Sequence, residues 1–482
     1  MGTSKYIQRE MAGAIEEAAR YFSVITVTGP RQSGKTTLIR HLFSHLPYYS
    51  LENLEVRRFA EKDPVAFLTQ HKNGMILDEV HNVPDLLSYI QGIVDDEPDR
   101  RFILSGSSQF AILKKVTQSL AGRTAVFELL PMSYAEIQEE AEGKSLDELL
   151  FGGFYPAIWS GRNRADLLYP AYLRTYLDKD VRDLLQIKDI MQFHTFLRLC
   201  AGRIGSVFNA SELANEVGVS VNTITAWLSV LQASYIVSLL PPYFANTRKR
   251  LTKSPKLYFI DTGLACHLLG IESASQLARD KMRGALFENF IVMEALKYRY
   301  NHGKDSNLYF YRDSNQNEID LLLQKGTGLY GVEIKSSMTY HTDFEKSLRK
   351  MDQWVKEPVV GRAVVYAGSL ENSESAIKLL NYKNINSVVG ETKSNKDMSL
   401  DELKQRVIEE YDSRNLKSSV RYNQLKHIVD FLKKQYGNSA DCLSRGKDTL
   451  KEEYRRYRGK EDLSGADKSV FNEMYNQWEK SK

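Results

Sequence analysis

The stretch Tyr21 to Phe43, YFSVITVTGPRQSGKTTLIRHLF, restricts this chain more than any other. A β-branched run at 24–27 leads into Gly29-Pro30-Arg31-Gln32-Ser33-Gly34-Lys35-Thr36-Thr37, and a helical pattern follows. The spacing G-x4-G-K-T between a strand and a helix is that of a phosphate cradle. Its glycines let backbone N–H groups turn inward around phosphate, and the helix start adds its dipole. Lys35 reaches the β and γ phosphates, and the Thr36 hydroxyl takes magnesium. ATP and Mg2+ are therefore the expected cofactors, with residues 29–37 as the binding loop.

Such a cradle calls for a second acidic strand, and GMILDEVHNV supplies it. Asp78 is placed to hold the magnesium through water, and Glu79 to polarise the attacking water. RFILSGSSQF is a further buried strand ending in polar residues, where Ser107 is either a γ-phosphate contact or a turn serine. In SLAGRTAVFELLP, Arg123 precedes a strand and is either an arginine finger acting across a subunit interface or a surface ion pair. Strands near 24–28, 48–51, 75–78, 101–105 and 125–130 alternate with helical stretches. That pattern predicts the doubly wound parallel α/β sheet of a P-loop NTPase.

The set GPRQSGKTT, MILDE, ILSGSS and SLAGR, followed by LLFGGFYPAI at 149–158, resembles prokaryotic AAA-family (AAA+-like) ATPases. These carry a C-terminal restriction-endonuclease-like domain of unknown function. The resemblance covers residues 1–390 and implies an ATPase core, helices, a winged helix and a nuclease-like domain. It implies no particular substrate.

SVFNASELANEVGVSVNTITAWLSVLQASYIVSLLPPY reads as a helix-turn-helix with a wing. Ser211 is the expected N-cap, a turn lies at 218–220, and a second helix runs from 221 to 232. Asn222, Thr223 and Thr225 face outward on it, with Ile224, Trp227, Leu228 and Leu231 inward. The wing carries Arg248, Lys249, Arg250, Lys253 and Lys256, residue types suited to phosphate contact. DNA is the partner they suggest. The alternative is a solvated loop on a packing module.

Farther on, GALFENFIVMEALKYRY is a helix with Glu288 near its start. NLYFYRDS, EIDLLLQK and GLYGVEIKSS are strands, a helix is expected over 342–356, and RAVVYAG is a final strand. That order is the core of the PD-(D/E)XK nuclease fold. Glu333 and Lys335 sit two apart on one strand and so on one face. Asp320, Glu333 and Lys335 fall at the places the resemblance makes catalytic, and Glu288 matches an acid some members add. Asp320, Glu333 and the Ile334 carbonyl suit a hard cation, and Glu318 is placed on Asp320's face as its substitute or its support. The alternative is a fold kept as a docking platform without cleavage.

The expected domains are 1–140 (ATPase core), 141–195 (lid-like helices), 196–262 (winged helix), 263–388 (nuclease-like) and 389–482 (a charged helical extension). The extension is a candidate for oligomerisation or protein docking. The chain has 482 residues and a net charge of only +4, so any basic surface is local. Cys200, Cys266 and Cys442 show neither zinc nor disulfide spacing, and a reducing cytoplasm fits them best. The leading expectation is an ATP-driven machine acting on DNA, with no membrane segment. A nucleotide-gated signalling or scaffold ATPase is the alternative.

Overall fold

Five strands carry the N-terminal third: β1 (Val24–Thr28), β2 (Tyr48–Ser50), β3 (Gly74–Asp78), β4 (Arg101–Gly106) and β5 (Thr124–Glu128). They pair in the order β2-β3-β4-β1-β5, every neighbour parallel. This computed structural model describes residues 6–107, 119–177, 190–244 and 253–390. All of them belong to the unit Met1–Gly390. The expected contacts Arg248, Lys249 and Arg250, and the extension from 391 on, lie outside the described residues.

β1 and β3 are buried along their whole length. They read as continuous apolar runs because helices cover both faces of the sheet. Val24, Leu77 and Leu104 pack on one face with Leu86 and Ile90. Ile25, Ile76 and Ile103 pack on the other with Met11, Leu38 and Ile39. Parallel pairing brings the carboxyl ends of β1, β3 and β4 to one edge, the edge where open α/β sheets bind ligands.

After β5 a single apolar core runs from Leu130 through Trp227 and Phe259 to Val389. The boundaries expected at 195/196 and 262/263 fall inside it. Helices Ala210–Val217 and Val221–Ala233 are joined by a turn through Gly218, which is left-handed. β6 (Val237–Leu240) and β7 (Lys256–Phe259) then pair antiparallel. The first helix is capped by Asn209, whose side chain accepts from the Glu212 N–H, and not by Ser211. Asparagine is as good a cap as serine and lies two residues earlier, so Ser211 falls inside the first turn. Asn222 and Thr225 are exposed, and Thr223 is half-buried with its hydroxyl 2.8 Å from Ser220 Oγ.

Helix Arg283–Asn301 lies against a second sheet. This sheet comprises β8 (Leu308–Arg312), β9 (Glu318–Lys325), β10 (Gly328–Lys335), β11 (Val359–Tyr366) and β12 (Lys378–Asn381), in the order β12-β11-β10-β9-β8. β8, β9 and β10 form an antiparallel meander, and β11 and β12 continue parallel to β10. β12 was not expected. The helix expected over 342–356 is three short pieces within Thr342–Gln353. β9 holds an extra residue: Tyr309 pairs with Leu322 and Tyr311 with Ile319, so Phe310 alone faces Asp320 and Leu321. That is a β-bulge, and it breaks the alternation of faces along the strand.

Candidate functional site

The phosphate loop starts where β1 ends. Gly29 has φ 145°, and a Cβ there would lie 2.2 Å from the Leu129 carbonyl oxygen, so the position admits only glycine. Gly34 has φ 94° and opens helix Lys35–Leu42. The Lys35 ammonium is buried and donates to the carbonyls of Gly29 and Pro30 at 2.9 and 2.8 Å. Burial, opposed by Glu79 and Asp78, brings its pKa down to about 8. Thr36 Oγ1 donates to Asp78 Oδ2 at 2.8 Å, and Tyr48 and Ser105 donate to the same carboxylate. Glu79, in a left-handed conformation, accepts from the Ser107 N–H at 3.1 Å. Burial pushes its carboxyl up, but His81, Lys35 and Ser107 together hold it below its ordinary value. Ser33 Oγ is buried without a hydrogen-bond partner among the described residues, which fits a phosphate oxygen at that point.

Gln32, Lys35, Thr36 and Thr37 open onto a cavity of about 710 Å³, walled on its far side by Tyr6, Arg9, Pro156 and Arg162. Pro156 belongs to the FYPAI stretch quoted above. Tyr6, Arg9 and Arg162 are additions that no local pattern signals. Arg9 donates to the loop's Ser33 carbonyl at 2.7 Å, to the Leu130 carbonyl at 2.8 Å and to Glu136 at 2.9 Å. It therefore braces the cradle from outside.

Arg123 is at the wrong end for its own subunit's cradle. Its carbonyl accepts from Val24 at the start of β1, about 16 Å of strand away from Gly29. Its guanidinium forms a two-pronged pair with Asp95 at 2.5 and 2.8 Å.

Tyr235 is a further buried residue with positive φ (55°). Its hydroxyl lies 2.9 Å from Thr28 Oγ1, the last side chain of β1. It ties the end of helix Val221–Ala233 to the root of the phosphate loop.

A second cluster sits on the C-terminal sheet. Lys335 Nζ bridges Asp320 Oδ2 at 3.0 Å and Glu333 Oε2 at 2.5 Å, and the Ile334 N–H donates to Asp320 at 2.8 Å. Burial opposes charge on all three groups. The neighbours win for Asp320, held below its ordinary value by Lys335 and Lys256. They win also for Lys335, held above its ordinary value by Asp320 and Glu333. Glu333 is pushed up to about 8 by burial and by the Asp320 charge. Its Oε1 is buried with no hydrogen-bond partner among the described residues.

Two expectations are corrected here. Lys256 is no wing contact: it is 2% exposed and pairs with Glu288 at 3.1 Å and Glu318 at 2.6 Å. Glu288 does not join Asp320 and Glu333 as a third acid ligand, because Lys256 and the Tyr258 hydroxyl (2.7 Å) take its carboxylate. Burial and the Asp320 charge push Glu288 up. Among the described residues no three His, Cys, Asp or Glu side chains are arranged to hold a metal ion. Glu318 pairs with Lys256 at 2.6 Å, and the Lys256 charge also helps to lower Asp320, so Glu318 bears on Asp320 through Lys256. Lys253, three residues before Lys256, is exposed as expected.

Residues 21–138 match the family described as AAA domain. Residues 143–275 and 283–385 match two domains of unknown function, DUF8612 and DUF4143. An uncharacterized protein of Mycobacterium tuberculosis is 29% identical over 75% of this chain and 80% of its own length. One of Haemophilus influenzae is 19% identical over 70% and 88%, respectively. Among solved structures, the Walker-type ATPase of Pyrococcus abyssi superposes with a TM-score of 0.38 at 13% identity, covering 55% of this chain and 96% of that one. RuvB of Thermotoga maritima gives 0.26 at 16% identity, covering 50% and 91%. The family match and the loop geometry together make the N-terminal third an AAA-like P-loop ATPase domain that binds ATP. No helix among the described residues is long and apolar enough to cross a membrane.

Proposed function

We propose that this chain couples ATP hydrolysis to work on DNA, and that Asp320, Glu333 and Lys335 cut phosphodiester bonds with a divalent cation. The observation that carries the cleavage reading is the unpartnered Glu333 Oε1 beside Asp320. Two carboxyl groups there face one ammonium, and burial with the Asp320 charge keeps Glu333 protonated up to about pH 8, so a hard cation that displaces that proton meets two carboxylate oxygen donors. Magnesium, when bound, would supply a more acidic water and neutralise charge on the phosphate. Asp320 and Glu333 would hold it. Lys335, whose charge is maintained by those carboxylates, donates to a phosphate oxygen. In the ATPase domain, Thr36 and Asp78 would hold the magnesium of ATP, Lys35 would donate to its phosphates, and Glu79 would orient the attacking water. We read helices 210–217 and 221–233 with β6 and β7 as a winged helix-turn-helix. The Tyr235–Thr28 contact supports its communication with the nucleotide loop.

A second reading, a scaffold that grips DNA or protein without cutting, is favoured by one observation. Each lysine of the cluster already bridges two carboxylates, so the charges are largely compensated without a cation. Incubating the purified protein with supercoiled, linear and single-stranded DNA in Mg2+ or Mn2+, with and without ATP, separates the two. Cutting by the parent and none by Lys335→Ala, with ATP turnover kept in both, is the expected result. DNA bound but uncut under every condition would leave the scaffold reading standing.

A further inference from the structure

A cavity of about 670 Å³ opens between the loop segments flanking β6 and β7 and the edge of the C-terminal sheet. Tyr311 and Trp354 form its floor, with ring planes within 4° of parallel and centroids 5.9 Å apart. Both rings are half-buried, so each keeps an open face or edge. Lys253 and Lys356 are exposed at the rim. Two acids also line the space, and they differ. Asp313 is used up inside its own turn, accepting from Asn315 at 2.8 Å and from Asn317 at 2.9 and 2.8 Å. Glu357 Oε2 is buried and has no hydrogen-bond partner among the described residues, so it wants a donor.

The cavity also adjoins the acid cluster. Phe310, one of its walls, has the Lys256 ammonium 5.4 Å from its ring centroid. Arg312, at the same rim, reaches Glu318 at 3.6 Å. Glu318 and Asp320 are two residues apart on β9, a separation of about 7 Å along a strand.

We infer that this cleft holds an unpaired nucleotide of a single-stranded nucleic acid, its base against Trp354 and Tyr311 and its amino edge on Glu357. The inference rests on the DNA reading above. An aromatic floor suits a base because every base offers a π-face, and rim cations suit the backbone that follows it. A base inside a duplex presents no such face, which selects single strands. An acceptor without a partner selects bases that donate. Cytosine carries an exocyclic amine where thymine carries a carbonyl oxygen, and a carboxylate repels the latter.

The test measures binding of fluorescent oligodeoxycytidylate, oligothymidylate and a mixed-sequence duplex to the full chain, in EDTA so that nothing is cut. Trp354→Ala is expected to weaken oligodeoxycytidylate binding at least about fivefold, the effect of losing one stacked base. Trp354→Phe retains most of it. Glu357→Ala brings oligodeoxycytidylate down to the level of oligothymidylate and leaves the latter unchanged. ATP turnover reports whether each variant is folded; if Trp354→Ala fails that check, Glu357→Ala and Trp354→Phe decide. Equal binding of oligodeoxycytidylate by parent, Trp354→Ala and Glu357→Ala overturns this inference and leaves the DNA reading intact. So does binding of duplex alone. Failure of the parent to bind any of the three removes both.

Discussion

Lys35 and Lys335 are both ammonium groups in a recess at the end of a strand, yet their surroundings push them in opposite directions. Among the described residues Lys35 has only the Gly29 and Pro30 carbonyls as direct acceptors, and burial brings it down to about 8. Lys335 has two carboxylates, and they hold it above its ordinary value. Lys256 resembles Lys335, with Glu288 and Glu318 as partners. The phosphate loop is thus a positive charge short of its counter-ion, and an anionic ligand completes it. The acid cluster is self-compensated around its lysines, and the oxygen left over on Glu333 asks for a cation. One site is poised for phosphate directly, the other only through an intermediary of opposite sign.

The contrast predicts opposite costs for the same substitution. Lys256→Met takes the shared cation from two half-buried carboxylates, Glu288 and Glu318, and is expected to destabilise the fold by about 1–3 kcal/mol. Denaturant unfolding followed by tryptophan fluorescence reads this directly, and an unchanged midpoint would show that the cluster does not depend on Lys256. Lys35→Met removes an ammonium from neutral acceptors. It should leave the midpoint unchanged or higher, while ATP turnover falls about 10²- to 10³-fold, as when a transition-state donor is removed. Residual turnover within tenfold of the parent would break the assignment of Lys35.

The third expectation is a pH dependence of nucleotide binding. The Lys35 pKa without nucleotide is about 8, against an ordinary 10.5. Phosphate favours the charged form, so bound nucleotide raises that pKa. ATP affinity is therefore flat below pH 8 and falls as pH rises above it, by up to about tenfold per unit. Titration of ATP binding from pH 7 to 9.5 checks the sign. A flat profile would mean that the ammonium is not depressed before nucleotide arrives.

The loop was legible because its determinants are local. Strand, glycine spacing and helix start occupy one continuous stretch, and β3 declares itself by three apolar residues, Met75, Ile76 and Leu77, before Asp78. Ile76 and Leu77 stand where an apolar run predicts them, on opposite faces of a covered sheet. Arg9 was not legible, since it arrives at Ser33 from 24 residues upstream with no periodicity attached to it. Lys256 was misread for a related reason. Next to Arg248, Lys249 and Arg250 it looks like one more wing cation, and only the packing of β7 against helix Arg283–Asn301 shows it facing inward. Arg123 is legible as an arginine before a strand, but which end of the sheet it occupies depends on pairing with β1. The triplet Glu333-Ile334-Lys335 needed only alternation, and alternation holds in β10. In β9 it fails beyond Asp320, where the extra residue puts Ile319 and Leu322 in one layer.

The extra residue in β9 sets how the acids meet the core. Ile319 and Leu322, an odd number of positions apart, share one hydrophobic layer because the bulge lies between them. Glu318 and Asp320, an even number apart, both bear on Lys256. A relative with one residue more between its counterparts of Glu318 and Asp320 would keep every motif letter in its order, yet its two acids would point to opposite faces. Only one of them could then reach the lysine the pair now shares. Insertions in this strand therefore bear on which relatives keep the cluster, alongside the identity of the motif residues.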